Sequence, residues 1–217
     1  MPDSNYLTEA EFRSFIKDDS SLNQSAITLA LSVASRAIDT ICGRPKNGFV
    51  LAGSTSIAYF SPDSSVTCPL VADGVTWEIG TTSGLVVKTD SDYDGVYETT
   101  LTYNTDFFLE PINSARYGVS GWPFDTIRML GNSNLLLPAR EPDSRPPVQV
   151  TARYGWSTTP DVIKFATALA ANRYWGRSDA RYGAAGFDAA GFVMRIRQDP
   201  DLMGLLAPFI PTARMVA

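Results

Sequence analysis

The chain has 217 residues, of which 44% are hydrophobic and 19% charged, enough for one sizeable domain or two small ones around a buried core. A net charge of -5 disfavours a protein that grips nucleic acid through a basic face, and the absence of histidine removes the usual general base of Ser-His-Asp and Cys-His catalysis. No apolar run approaches the roughly 20 residues of a membrane span, and the opening MPDSNYLTEAEF lacks the basic flank and apolar stretch of a signal peptide, so an intracellular product is expected.

The first predicted element is a short helix. Thr8 and Glu11 form a capping-box pattern, Phe12, Phe15 and Ile16 follow on one face, and the helix should end near Asp18. A second start signal at Ser20 and Ser21 opens a longer helix, in which Ile27, Leu31, Ala34, Ile38 and Ile41 recur at helical spacing until Gly43 stops it. Its many alanines predict close packing against other helices. Cys42, at its end, and Cys68 read as buried free thiols; without histidine or a CxxC pair there is no ligand set for structural zinc.

From about Pro45 to Tyr154 the texture changes to short β-rich runs separated by Gly, Pro, Ser and Asp, the pattern of a sandwich or barrel. The clearest predicted strands are Ser56 to Phe60, Thr76 to Ile79, Leu85 to Thr89, Tyr97 to Tyr103, Ile127 to Leu130 and Val148 to Tyr154. In the last, Val148, Val150, Ala152 and Tyr154 alternate with Gln149, Thr151 and Arg153, which assigns one buried and one solvated face. Helix returns at Thr159-Pro160-Asp161, with Val162, Phe165, Ala166 and Leu169 as its expected apolar stripe, running to about Trp175. A Gly/Ala-rich loop follows. A short helix is expected around Val193 to Arg197, and Pro200-Asp201-Leu202 starts another.

The order is helices, β segment, helices. Because the apolar stripes of the early and late helices need partners, the expected fold is α+β: a helical bundle from 1–44 and 155–217, with an antiparallel β-sandwich or barrel inserted over 45–154. Tyr154, Trp156, Tyr174 and Trp175 read as a core cluster where the two parts meet.

These residues in this order resemble the head-to-tail adaptor (head-tail connector, or head completion) family of long-tailed bacteriophages, especially versions from phages of actinobacteria. The pattern covers nearly the whole chain: YLTEAEFRSFIK, then ASRAIDTICGRP, then TDSDYDGVYE and DFFLEPINSARYG, then VQVTARYGWSTTPDVIKFATALAANRYWGRSDARYGAAGF and RIRQDPDLMGLLAPF. The resemblance rests on their conjunction and spacing, since no single motif is specific. It implies a structural protein rather than an enzyme, a homo-oligomeric ring of twelvefold symmetry beneath the portal protein. Double-stranded DNA would pass through its centre without sequence-specific binding, and a stopper or tail-completion protein would dock below. It also implies a place in the virion neck after assembly in the host cytoplasm, with no membrane involved. A stopper or tail-completion ring is the neighbouring alternative. The missing histidines and acidic balance suit a passive conduit.

Three groups of residues carry site readings. Asp90, Asp92, Asp94 and Glu98, with Gly95 in sixth place, can present oxygen ligands to Ca²⁺, yet Leu101 stands where an EF-hand has its bidentate glutamate; an acidic hairpin without metal and a weak structural Ca²⁺ site both stand. No other cofactor is expected. Arg173, Arg177, Asp179, Arg181, Arg195 and Arg197 suit pairing between neighbouring subunits, solvated faces, or phosphate contact. Phe209 and Ile210, in the apolar tail from Ala207 to Ala217, suit docking on the portal or a neighbouring subunit. Two remoter classes are a β module binding carbohydrate or another ligand, and a hydrolase using Asp92, Asp94 or Glu98. Three acids in one solvated turn are poorly placed for the latter, since an acid and a base need different environments.

Overall fold

The computed structural model describes residues 4–17, 24–131, 133–139, 141, 143–179 and 199–211, with 176–179 described in backbone only. The chain divides into two compact units, one from Met1–Phe49 with Thr159–Ala217 and one from Val50–Thr158. Among the described residues, no helix is long and apolar enough to cross a membrane.

The first unit holds the helices. In α1 (Glu9–Ile16) the capping box forms in both directions: the Glu11 N–H donates to Thr8 Oγ1 at 3.2 Å and the Thr8 N–H to Glu11 Oε2 at 2.8 Å. The Thr8 N–H and, beside it, the Thr8 hydroxyl donate to the Glu11 carboxylate and hold it down at about 2. Lys17, in a left-handed conformation, ends the helix. In α2 (Gln24–Ile41) the buried stripe is Ile27, Ala30, Leu31, Ala34, Ser35, Ile38 and Asp39, and Gly43 at φ 60° ends it while the Arg44 N–H reaches back to the Asp39 carbonyl.

α3 (Asp161–Asp179) packs along α2 through small side chains, Ala168, Ala170 and Ala171 sharing a core with Ala30 and Ala34 beside Ile27, Leu31 and Phe12. Of the predicted stripe, Ala166 is buried and Val162 and Leu169 are half-buried, but Phe165 is 48% exposed and Ile163 is fully buried instead, because close approach of α2 and α3 admits small side chains and excludes the ring. α4 (Pro200–Leu206) begins under an Asp199 cap whose carboxylate accepts from the Asp201 N–H at 3.1 Å, and runs into a single 3-10 turn at Ala207–Phe209.

The second unit is all strand and turn. Its larger sheet is antiparallel, ordered β1 (Ser56–Phe60), β11 (Val148–Tyr154), β5 (Ile79–Thr89), β6 (Thr99–Leu101). A second sheet orders β2 (Thr67–Pro69), β10 (Thr126–Met129), β7 (Phe107–Glu110). Two hairpins complete it, β3 (Val71–Ala72) with β4 (Val75–Thr76) and β8 (Ala115–Arg116) with β9 (Val119–Ser120). The inward residues of both larger sheets, among them Phe60, Val87, Val148 and Val150 with Phe107, Leu109 and Ile127, share one core.

β11 alternates as its sequence predicts, Val148, Val150, Ala152 and Tyr154 buried, though the intervening residues are half-buried rather than solvated. Just beyond it, Gly155 adopts φ 107° and donates to the Glu78 carbonyl at 2.7 Å; a Cβ there would strike the Val50 carbonyl, so glycine is required. Glu78 also accepts from the indole N–H of Trp156 at 2.8 Å, and Trp156 packs against Trp122 with centroids 4.9 Å apart.

The expected helical bundle with an inserted antiparallel β-sandwich or barrel is corrected. The chain is β-rich, with strand (27%) nearly matching helix (29%), four α-helices and several small sheets among the described residues. The physical reasons lie in element length. α1 and α4, at 8 and 7 residues, cannot run the length of α2 and α3, so only that pair forms an extended helix contact. Most strands have two to five residues and are interrupted by turns with positive φ at Asp73, Tyr93, Asn104, Ser114 and Tyr117, so the second unit is divided among one four-stranded sheet, one three-stranded sheet and two short hairpins.

Tyr154 lies in the core of the second unit and Trp156 is buried against Trp122, while Trp175 packs edge-on against Phe12 in the first unit at 6.5 Å. Both cysteines are buried thiols outside any disulfide; burial pushes the Cys68 thiol up to about 12. The start signal at Ser20 and Ser21 and the helix expected around Val193 to Arg197 lie outside the described residues.

Candidate functional site

The acidic run forms the connection between β5 and β6. Its turn is closed by Asp90, which is buried and accepts at 2.8 Å from the N–H of Tyr93 through one oxygen and of Gly95 through the other. Asp94 accepts from the Val96 N–H at 2.7 Å, and Tyr93 and Gly95 take the positive φ values the turn needs. The fold thereby brings one carboxylate oxygen each from Asp90, Asp92, Asp94 and Glu98 within 4.8 Å of one another.

Although Asp92 is exposed, its carboxyl is pushed above the usual range, by partial loss of water first and then by the charge of Asp94. Four such oxygens could share a divalent cation. Asp90, however, is already engaged by two backbone donors, so the turn closes on hydrogen bonds alone, and Leu101 sits in β6 with its side chain in the core.

Gly95, at the end of this loop, also borders a cleft of about 910 Å³ in the second unit. The cleft runs along β1 and the β3–β4 hairpin and is lined by the rings of Tyr59, Trp77 and Tyr97, with Arg145 and Gln149 among its polar groups. None of these was singled out as a site residue from the sequence. The available signal was in β1, where Ile57 and Tyr59 occupy the face opposite buried Ala58 and Phe60 and leave large apolar groups exposed at 54% and 44%.

The arginine group does not form one surface. Arg173 pairs with Asp199, whose side chain is only 2% exposed, so it ties α3 to the cap of α4 inside the first unit. Its second terminal nitrogen, Nη1, is buried without a hydrogen-bond partner among the described residues. Of Arg177 and Asp179 only the helical backbone is described, and Arg181, Arg195 and Arg197 lie outside the described residues. Phe209 is 1% exposed and packs edge-on against Phe49 at 5.7 Å, while Ile210 is half-buried.

A different surface of the first unit is open. From Gln24 to Ser35, three turns of α2 carry no charged residue, and their outer side presents Gln24, Ser25, Thr28, Leu29 and Ser32 along a shallow groove. Leu29 is 66% and Val33 40% exposed. On α1 and α3, Phe15 and Phe165 meet edge-on at 5.9 Å and are also partly exposed. The absence of charge over 24–35 was legible in the sequence.

No protein-family model matches the chain, and no curated protein matches it.

Proposed function

We propose that the chain is a structural ring subunit of a phage neck, an adaptor that joins the portal to the next connector or tail protein and lets the genome pass. The observation that carries the reading is the uncharged outer side of α2 with Leu29 and Val33 exposed. A helix facing only water normally carries charge on that side, whereas interface cores are depleted in charge and expose apolar groups before assembly. The whole-chain motif order and the net charge of -5 support the same reading, a wall that does not hold phosphates. On this reading the protein does structural rather than catalytic work, and a cation at the Asp90 loop would brace a turn.

Ring closure requires heterologous contacts, in which one surface of each subunit meets a different surface of the next. The exposed Phe15–Phe165 pair is a second apolar surface on the same unit and suits the complementary role. Sedimentation velocity of the isolated chain, and of the chain mixed with the portal of the same phage, tests this. Concentration-dependent or portal-templated assembly is expected; a monomer at every concentration that ignores the portal would overturn it.

A further inference from the structure

We infer that the cleft along β1 is a binding site for a short neutral oligosaccharide, a role beyond the structural one proposed above and independent of it. At about 910 Å³ it lies toward the upper end of small-molecule sites, about 300–1,000 Å³, and so takes more than a single sugar ring.

Its aromatic surface is pre-organised. The Tyr97 hydroxyl donates to the Pro146 carbonyl at 2.7 Å, which fixes the ring, and Tyr59 lies against it with centroids 5.5 Å apart at 43°. Trp77 is held from behind, edge-on to Tyr154 at 5.0 Å and to Phe60 at 6.5 Å, so its position in the wall is set by the core. Rigid rings offer area without losing side-chain freedom on binding. Their negative faces meet the weakly positive C–H face of a pyranose.

Beside the Ser61 hydroxyl, four polar groups of the cleft are planar and two-pronged: the carboxylates of Asp63 and Asp73, the carboxamide of Gln149 and the guanidinium of Arg145. Asp63, Asp73 and Arg145 make no ion pair among the described residues, and Gln149 Nε2 has only the Tyr59 hydroxyl at 3.5 Å. Two-pronged groups match adjacent sugar hydroxyls, as a guanidinium matches a carboxylate.

Charge narrows the ligand class. Among the described residues, two carboxylates against one guanidinium disfavour a phosphate, a nucleic acid or an anionic glycan. An extended peptide added to the outer edge of β1 is the rival occupant. However, β3 comes close to β1 without hydrogen-bonding to it, so a strand added to that edge would have to pass the β3–β4 hairpin.

The test uses the full chain against an array of neutral oligosaccharides (gluco-, manno-, galacto- and N-acetylglucosamine oligomers) alongside anionic glycans, followed by calorimetric titration of the strongest neutral hit. Binding by at least one neutral oligomer is expected, weakened about tenfold or more by Tyr97→Ala and by Tyr59→Ala and unchanged by Lys88→Ala, which lies on β5 outside the cleft. Asp73→Asn, on an exposed turn, keeps the test informative if a tyrosine variant fails to fold; it should weaken the same titration. No neutral binding, binding of anionic glycans only, or binding indifferent to Tyr59, Tyr97 and Asp73 would each overturn the inference. So would competition by an extended peptide that Ala58→Pro in β1 abolishes.

Discussion

The phenol of Tyr6 donates its hydrogen bond to the carboxylate of Asp39, fastening the segment before α1 to the last turn of α2. Around that bond, the Phe49 N–H donates to the Tyr6 oxygen at 3.2 Å and the Asn47 N–H to Asp39 Oδ2 at 3.2 Å. Arg36 Nε stands 3.3 Å from the same oxygen, a charge contact without hydrogen-bond geometry. Burial raises both acids: the Asp39 carboxyl to about 6, and the Tyr6 phenol well above its usual value.

Removing the Tyr6 hydroxyl leaves a buried carboxylate and a buried N–H short of a partner. Tyr6→Phe should therefore destabilise the first unit by about 1–3 kcal/mol, read by urea denaturation. Because Asp39 titrates higher when folded than unfolded, its folded form binds the proton more tightly. The stability this confers is complete below the unfolded value, near 3.8, and is lost as pH rises through about 6. Glu11, held down at about 2, acts oppositely but only as pH falls below about 4.5, so between 4.5 and 7 the slope in the first unit is that of Asp39, while the raised Asp92 carboxyl belongs to the second unit. Stability should fall across that window by on the order of 1–3 kcal/mol, and Asp39→Asn should flatten the slope.

Arg173 is expected to behave as an internal tie. Arg173→Ala strands the Asp199 carboxylate, which is nearly without solvent, and should lower stability by about 1–3 kcal/mol with α4 loosening first in hydrogen exchange. Unchanged protection of α4 would show that the pair contributes nothing to holding it.

Leu29 is expected to behave in the opposite way. Leu29→Glu, on a side of α2 that is already exposed, should change monomer stability by no more than about 0.5 kcal/mol. Sedimentation should nevertheless show assembly lost, because a carboxylate would be placed in a contact depleted of charge.

In the acidic loop, Asp92→Asn should stabilise the second unit at neutral pH, since it removes a charge that partial loss of water and the neighbouring Asp94 carboxylate disfavour. Thermal unfolding at pH 7 reads the direction. Calcium should bind no more tightly than about 0.1–1 mM, because Leu101 replaces the bidentate glutamate of a tight site. Micromolar binding by calorimetry would contradict this account of the loop.

Local signals were legible in the sequence. The Thr8–Glu11 box, the Gly43 stop and the alternation of β11 follow from side-chain spacing within a few residues, where the physics is local. The broader architecture was not. Whether short strands join into two sheets or several depends on turns such as Asp73 and Tyr93, whose left-handed backbone a composition pattern does not announce. Phe165 looked like core because helical spacing marks a stripe without marking its centre; alanine contacts between α2 and α3 moved that centre by a few residues. The carboxylates of the candidate site lie within nine consecutive residues and could be found by eye. By contrast, Tyr59, Trp77, Tyr97 and Arg145 come from four separate segments that only the folded β unit gathers.

Cryo-electron microscopy of the chain assembled on the portal of its phage tests the central claim most directly. The account predicts a closed ring, twelvefold by the family resemblance, in which Leu29 and Val33 of every subunit are buried against a neighbour. Failure to decorate the portal, or a ring that leaves the outer side of α2 in solvent, would contradict it.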